Sequence, residues 1–164
     1  MVPGRQTGAQ PASLSLSALS LRDFRNYADC RVTIDAPNIL LLGENGAGKT
    51  NLMEAVSLLA PGRGLRRARA EHLPRQDSGS DQWAVSADLQ TAGETIRVGT
   101  GVPADSDSGR RIMRCDGETV PQTEIGRLLS VSWLTPRMDG IFVDSPGARR
   151  RFLDRLVIAF DAAH

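Results

Sequence analysis

Gly43-Glu44-Asn45-Gly46-Ala47-Gly48-Lys49-Thr50 is the stretch that decides how this chain reads. It has the G-x-x-x-x-G-K-[ST] spacing of a phosphate-binding loop. Of twenty cationic side chains, nineteen are arginine, and the single lysine, Lys49, stands inside this motif. An ammonium is a compact point charge that can reach in and touch a phosphate. Three glycines, Gly43, Gly46 and Gly48, allow backbone conformations that turn successive amides into an anion-holding nest. Lys49 is expected to reach the β- and γ-phosphates of a nucleotide, and Thr50 to offer its hydroxyl to Mg²⁺. Glu44, Asn45 and Ala47 complete the cradle.

The flanks fit the motif. Ile39-Leu40-Leu41-Leu42 suits a buried strand, and residues 51–59 suit a helix. Leu52, Ala55, Val56 and Leu59 fall at i, i+3, i+4 and i+7, which predicts one apolar helix face. Strand, glycine loop and helix together place the positive helix end where phosphate would lie.

The chain has 164 residues and a net charge of +1, enough length for one domain with a core and no global pull toward polyanions. Cys30 and Cys115 form no metal-type pair and read as two idle thiols in a reducing compartment. The first residues contain no apolar run long enough for a leader or a membrane span, so a cytoplasmic protein without a membrane segment is expected.

Residues 1–12 read as a flexible tail and 13–164 as one unit. Strands are expected at 14–21 and 30–34, with a polar corner, Arg22-Asp23-Phe24-Arg25-Asn26-Tyr27, between them. Pro61-Gly62 ends the central helix. Residues 83–89 and 95–98 read as a hairpin around Gly93, and 103–109 as loose chain. Further elements are a strand at 111–115 closed by Asp116-Gly117, a short helix at 123–129 and a strand at 131–134. Ser145-Pro146 supplies a cap and first-turn proline for a last helix. Its expected core face is Phe152, Leu153, Leu156, Val157 and Phe160.

Two arginine clusters are candidate nucleic-acid contacts: Arg63, Arg66 and Arg67 after the central helix, and Arg149, Arg150 and Arg151 at the start of the last one. Cations at a helix N-terminus oppose its dipole, which a nearby anion would offset. Clusters of this kind bind phosphate backbone without reading bases. The plainer alternative is a solvated face, balanced in the second cluster by Asp144 and Asp154.

Ile141 to Gly147 contains D-x-x-G after an apolar run, which small GTPases place at Mg²⁺. A GTPase also reads guanine through [NT]-K-x-D, and this chain has no second lysine with which to build it. A third possibility is a non-catalytic interaction module with ATP as a structural ligand.

The ordered motifs resemble one family. Leu21-Arg22-Asp23-Phe24-Arg25-Asn26-Tyr27 is similar to the L-x-x-F-R-N-Y opening of RecF proteins, and the glycine loop follows at that family's spacing. Trp133-Leu134-Thr135-Pro136 with Met138-Asp139, and Arg150-Arg151-Phe152-Leu153-Asp154, resemble two later RecF elements. The resemblance implies an α/β fold, a P-loop NTPase head of the ABC/SMC type in its N-terminal part. It implies ATP and Mg²⁺ as ligands, with Arg25 and Asn26 near the nucleotide and Asp144 not a magnesium ligand. It implies a DNA replication and repair role at gaps or single-strand/double-strand junctions, recombinase loading, the SOS response, an ATP-dependent homodimer, and RecR and RecO as partners. RecF proteins continue well beyond this length. Their signature motif and acidic Walker B strand have no counterpart here, so the chain is expected to bind ATP without useful hydrolysis by itself.

Overall fold

Alternation of apolar and polar residues builds the sheet that carries this molecule. In β1 (Ser15–Phe24) Leu19 and Leu21 point inward, and in β3 (Trp83–Thr91) Trp83, Val85, Ala87 and Leu89 do the same. This period of two makes one face of a strand apolar. The remaining strands are β2 (Tyr27–Thr33), β4 (Glu94–Val102), β5 (Ile112–Cys115) and β6 (Glu118–Val120). They form a six-stranded sheet in the order β2-β1-β3-β4-β5-β6, each pair antiparallel. The structure, a computed structural model, describes residues 14–91, 93–104, 109–136 and 145–160. The expected tail, most of the loose 103–109 stretch and Asp144 with its apolar run lie outside them.

Among the described residues three α-helices accompany the sheet: α1 (Lys49–Leu58), α2 (Gln122–Leu128) and α3 (Pro146–Phe160). Between β2 and β3 the chain leaves the sheet, forms α1, and returns through an arginine-rich arm, residues 62–75. The arm and α1 cover the inner face. Leu58, Leu59 and Leu73 pack with Leu21, Phe24, Val85 and Val98, and Ile125 of α2 joins the same core. Phe24 and Trp83 meet at a tilt, their centroids 5.6 Å apart and their planes at 52°. The Trp83 indole N–H is buried with no hydrogen-bond partner among the described residues.

The structure corrects four expectations. Residues 39–42 form no strand, and Ile39, Leu40 and Leu42 are 53%, 79% and 81% exposed. A strand of that composition is stable only between neighbours that use its amides and cover both faces. Among the described residues the sheet's edges, β2 and β6, do not reach it. Residues 131–134 likewise form no strand, and Leu134 is exposed. On α1, Ala55 and Leu59 are buried as expected, but Leu52 and Val56 are only half-buried, while Glu54, Ser57 and Leu58 are buried. The arm folding over α1 widens the covered arc. On α3, Leu153 and Val157 are exposed rather than core, Phe152 is half-buried, and the side chains of Leu156 and Phe160 lie outside the described residues. The inner face of the sheet is already filled by α1, the arm and α2.

Candidate functional site: a glycine loop walled by a strained turn

The loop leads directly into α1, whose N-cap is Gly48, in the left-handed region with φ 99°. No side chain caps the helix, and its first turn holds no acidic residue. Its positive end is therefore left for an outside anion. Gly46 also has positive φ, 87°. The Lys49 ammonium lies across the loop and donates to the carbonyls of Gly43 at 2.8 Å and Glu44 at 2.7 Å. An ammonium has three protons, so one remains for a phosphate oxygen. Thr50 is exposed in the first turn of α1. These residues fit a nucleotide's phosphates, and Thr50 fits one oxygen position around Mg²⁺. Among the described residues no group of three His, Cys, Asp or Glu side chains could hold a metal by itself.

Gly48 is required for space as well as for its dihedral. A Cβ there would stand 2.5 Å from the Tyr27 hydroxyl and 2.7 Å from the Asn26 amide nitrogen. The β1–β2 turn thus forms one wall of the loop. Burial pushes the Tyr27 hydroxyl above its ordinary value, with a smaller push from Cys30, so the phenol is neutral beside the loop. Two non-glycine residues at the turn have positive φ, Asp23 at the end of β1 at 45° and Arg25 in the turn itself at 56°. Backbone bonds to the arm hold them there. Arg25 N donates to Leu73 O at 2.9 Å, Arg75 N donates to Asp23 O at 2.7 Å, and Phe24 bridges to Pro74.

Arg25 does not stand free. Its Nε and Nη2 donate to Glu54 Oε2 and Oε1 at 2.9 and 2.8 Å, and its Nη1 donates to His72 O at 2.7 Å. Glu54 is 1% exposed and also receives Arg66 Nη1 at 2.8 Å. The same Arg66 nitrogen donates to Asn51 Oδ1 at 2.7 Å, and Asn51 Nδ2 donates to Asn26 Oδ1 at 2.8 Å. Of the candidate nucleic-acid contacts, Arg66 therefore belongs to this network. Arg63 and Arg67 are exposed on the arm, which Ser57 Oγ anchors by accepting from Leu65 N at 2.7 Å. Arg63, Arg69 and Arg111 line a cavity of about 280 Å³ beneath the arm. Arg149 is half-buried and Arg150 exposed on α3, and the Arg151 side chain lies outside the described residues.

Glu54, Asn51 and Arg111 escape a reading of the sequence. An acid placed among the apolar positions 52, 55, 56 and 59, with arginines before and after it, is the available signal for Glu54. For Arg111 there is none. His72 is exposed.

The family description AAA domain matches residues 18–112. "DNA replication and repair protein RecF" of Rhizobium rhizogenes is 46% identical over 155 residues, 94% of this chain and 41% of the relative. The protein of the same description from Agrobacterium fabrum is 45% identical over 92% of this chain and 40% of its own length. That from Caulobacter vibrioides is 43% identical over 93% and 40%. The chain thus spans about two fifths of the curated relatives it matches. A solved "recombination mediator protein RecF-ATP in RecFOR pathway" superposes with a TM-score of 0.76 at 25% identity, covering 93% of this chain and 41% of that one. The structure named "RecF-ATPrS" superposes at 0.79 with 23% identity, over 91% and 39%, and shows the fold. With a family match across more than half its length, and such likeness on either side of the glycine loop, the chain belongs to the AAA domain family, and its kinship there is with the RecF proteins.

Proposed function

We propose that this chain binds ATP and Mg²⁺ as part of a RecF-type recombination mediator. The observation that carries the reading is the uncapped start of α1, with Gly46 and Gly48 at positive φ and Lys49 folded across the loop. In this reading residues 43–48 cradle the phosphates, Lys49 neutralises their far end and Thr50 takes one place around the metal. Asn26 and Arg25 stand on the turn that walls the site. Nucleotide binding is the activity this reading assigns to the chain.

The remaining roles follow the RecF kinship: cytoplasmic work at DNA gaps and single-strand/double-strand junctions, help in loading recombinase, a part in the SOS response, an ATP-dependent homodimer, and RecR and RecO as partners. DNA backbone binding falls to Arg63 and Arg67, supported by Arg66, and to Arg149, Arg150 and Arg151. No helix among the described residues is long and apolar enough to cross a membrane.

Competition between ATP and GTP for the magnesium-loaded site tests the nucleotide. ATP should win or tie, and a tenfold or greater preference for GTP would favour a guanine switch instead. Filter binding of a gapped duplex at rising salt tests the arginines. For every phosphate that an Arg63→Ala, Arg67→Ala double variant no longer neutralises, the slope of log affinity against log salt should flatten by about 0.9. An unchanged slope would remove the arm from the DNA surface.

A further inference from the structure

We infer that Glu54 is a positioning residue for the nucleotide site: its carboxylate fixes the β1–β2 turn, and with it Asn26 and Tyr27, against the glycine loop. The inference rests on the reading that this loop binds nucleotide. Two side-chain hydrogen-bonded links tie the turn to α1 among the described residues. One is the two-pronged grip of Arg25 on Glu54, the other the single bond from Asn51 to Asn26. The turn is otherwise bonded to the arm, through His72, Leu73, Pro74 and Arg75. The hairpin pairing of Phe24 with Tyr27 and the core place of Phe24 hold the base of the turn, but without Glu54 its side-chain tie to α1 would be one amide bond.

The position of the turn matters because of its closeness to Gly48. Tyr27 and Asn26 stand where even a methyl group on that glycine would collide. A turn with Asp23 and Arg25 at positive φ is not held by local preference, so its place is set by what grips it. Packing alone does not call for an acid at residue 54. A buried ion pair adds little stability over apolar residues of similar size, whereas it does dictate which groups must meet. Here one carboxylate, 1% exposed, gathers a guanidinium from the turn and another, Arg66, from the arm. Glu54 does not touch the nucleotide; it acts through Arg25.

The test titrates ATPγS and Mg²⁺ into the full chain, its Glu54→Gln variant and a Val85→Ala variant, at a temperature where circular dichroism shows all three folded. Glu54→Gln keeps the shape and removes the charge. Its affinity should fall about tenfold or more, the scale on which the supporting partner of a ligand-holding group acts. Val85→Ala lowers the thermal midpoint from inside the sheet core and should leave affinity within twofold of wild type. Equal affinities for Glu54→Gln and wild type would overturn the inference, as would an equal loss in both variants. Should Glu54→Gln not fold, Arg25→Lys decides: it keeps a cation beside Glu54 without the fork, and must show the same loss. A wild-type chain that takes up no ATPγS would instead overturn the nucleotide reading beneath it.

Discussion

The guanidinium of Arg111 closes the C-terminal end of the helix that starts at the glycine loop: its Nη2 donates to the carbonyl of Leu58, the last residue of α1. Nη1 donates to Gly62 O at 2.5 Å, and Nε donates to the Thr100 hydroxyl at 2.7 Å. A helix end has carbonyls without intrahelical donors, and a cation suits its negative pole. Burial pulls the Arg111 pKa down to about 10, so it remains charged at neutral pH. Arg111→Met should therefore destabilise the chain by about 2 kcal/mol, the order of leaving buried acceptors unpaired. Urea denaturation at pH 7 measures it. Arg111→Lys should recover less than half, because one ammonium cannot span Thr100, Leu58 and Gly62 together. A midpoint unmoved by Arg111→Met would show that the clamp is idle.

Gly46 and Gly48 should respond differently to alanine. Both have positive φ, but a Cβ at Gly46 meets nothing within 4 Å, whereas one at Gly48 collides with the β1–β2 turn. Gly46→Ala should cost about 1–2 kcal/mol, the strain of left-handed backbone alone. Gly48→Ala should cost more than that and displace Tyr27 as well. Thermal melts of the two variants make the comparison, and an equal loss would deny the collision.

Acid should weaken the fold in part through Asp88. Hydrogen bonding from Arg97, aided by the charges of Arg97 and Arg31, holds its carboxyl below the ordinary 3.8. A depressed carboxylate contributes stability above its unfolded pKa, and loses it as pH falls through the folded one. The contribution is thus whole at pH 6 and fades below about 4. Asp88→Asn should lower the denaturation midpoint at pH 6 and narrow the gap to wild type by pH 3. A constant gap would mean that the carboxylate's charge is not what Arg31 and Arg97 recognise.

The exposed run at residues 39–42 should bind a hydrophobic dye. Leu40 and Leu42 are 79% and 81% exposed, close to Ile39 in the segment before the loop. Contiguous apolar surface of this kind marks an interaction site or an aggregation hazard. Leu40→Ser with Leu42→Ser should lower dye fluorescence while leaving the thermal midpoint nearly unchanged, since neither side chain is buried. A large fall in the midpoint would place them in the core after all.

The hairpins, the central helix and the phosphate loop are legible in the sequence because each has a local cause. Alternation marks β1 and β3, Asp116-Gly117 marks the end of β5 but not the strand β6 that follows it, and three glycines with Lys49 mark the loop before α1. What is not legible depends on meetings between distant residues. The burial of Glu54 follows from Arg25, 29 residues earlier, and Arg66, 12 residues later. The clamp of Arg111 follows from a helix end 53 residues away. Composition misleads at 39–42 and 131–134, where apolar residues suit a strand but no described neighbour pairs with them. It misleads also at Leu153 and Val157 of α3, whose spacing suits a core but which are exposed.

The central claim is that the Lys49 ammonium and the bare amides of the loop hold a nucleotide's phosphates. Isothermal titration of ATP with Mg²⁺ into the chain and into Lys49→Ala tests it most directly. The chain should bind one equivalent, and removing the ammonium should weaken affinity by at least about tenfold, roughly 1.4 kcal/mol. Equal affinity in the two proteins would contradict it.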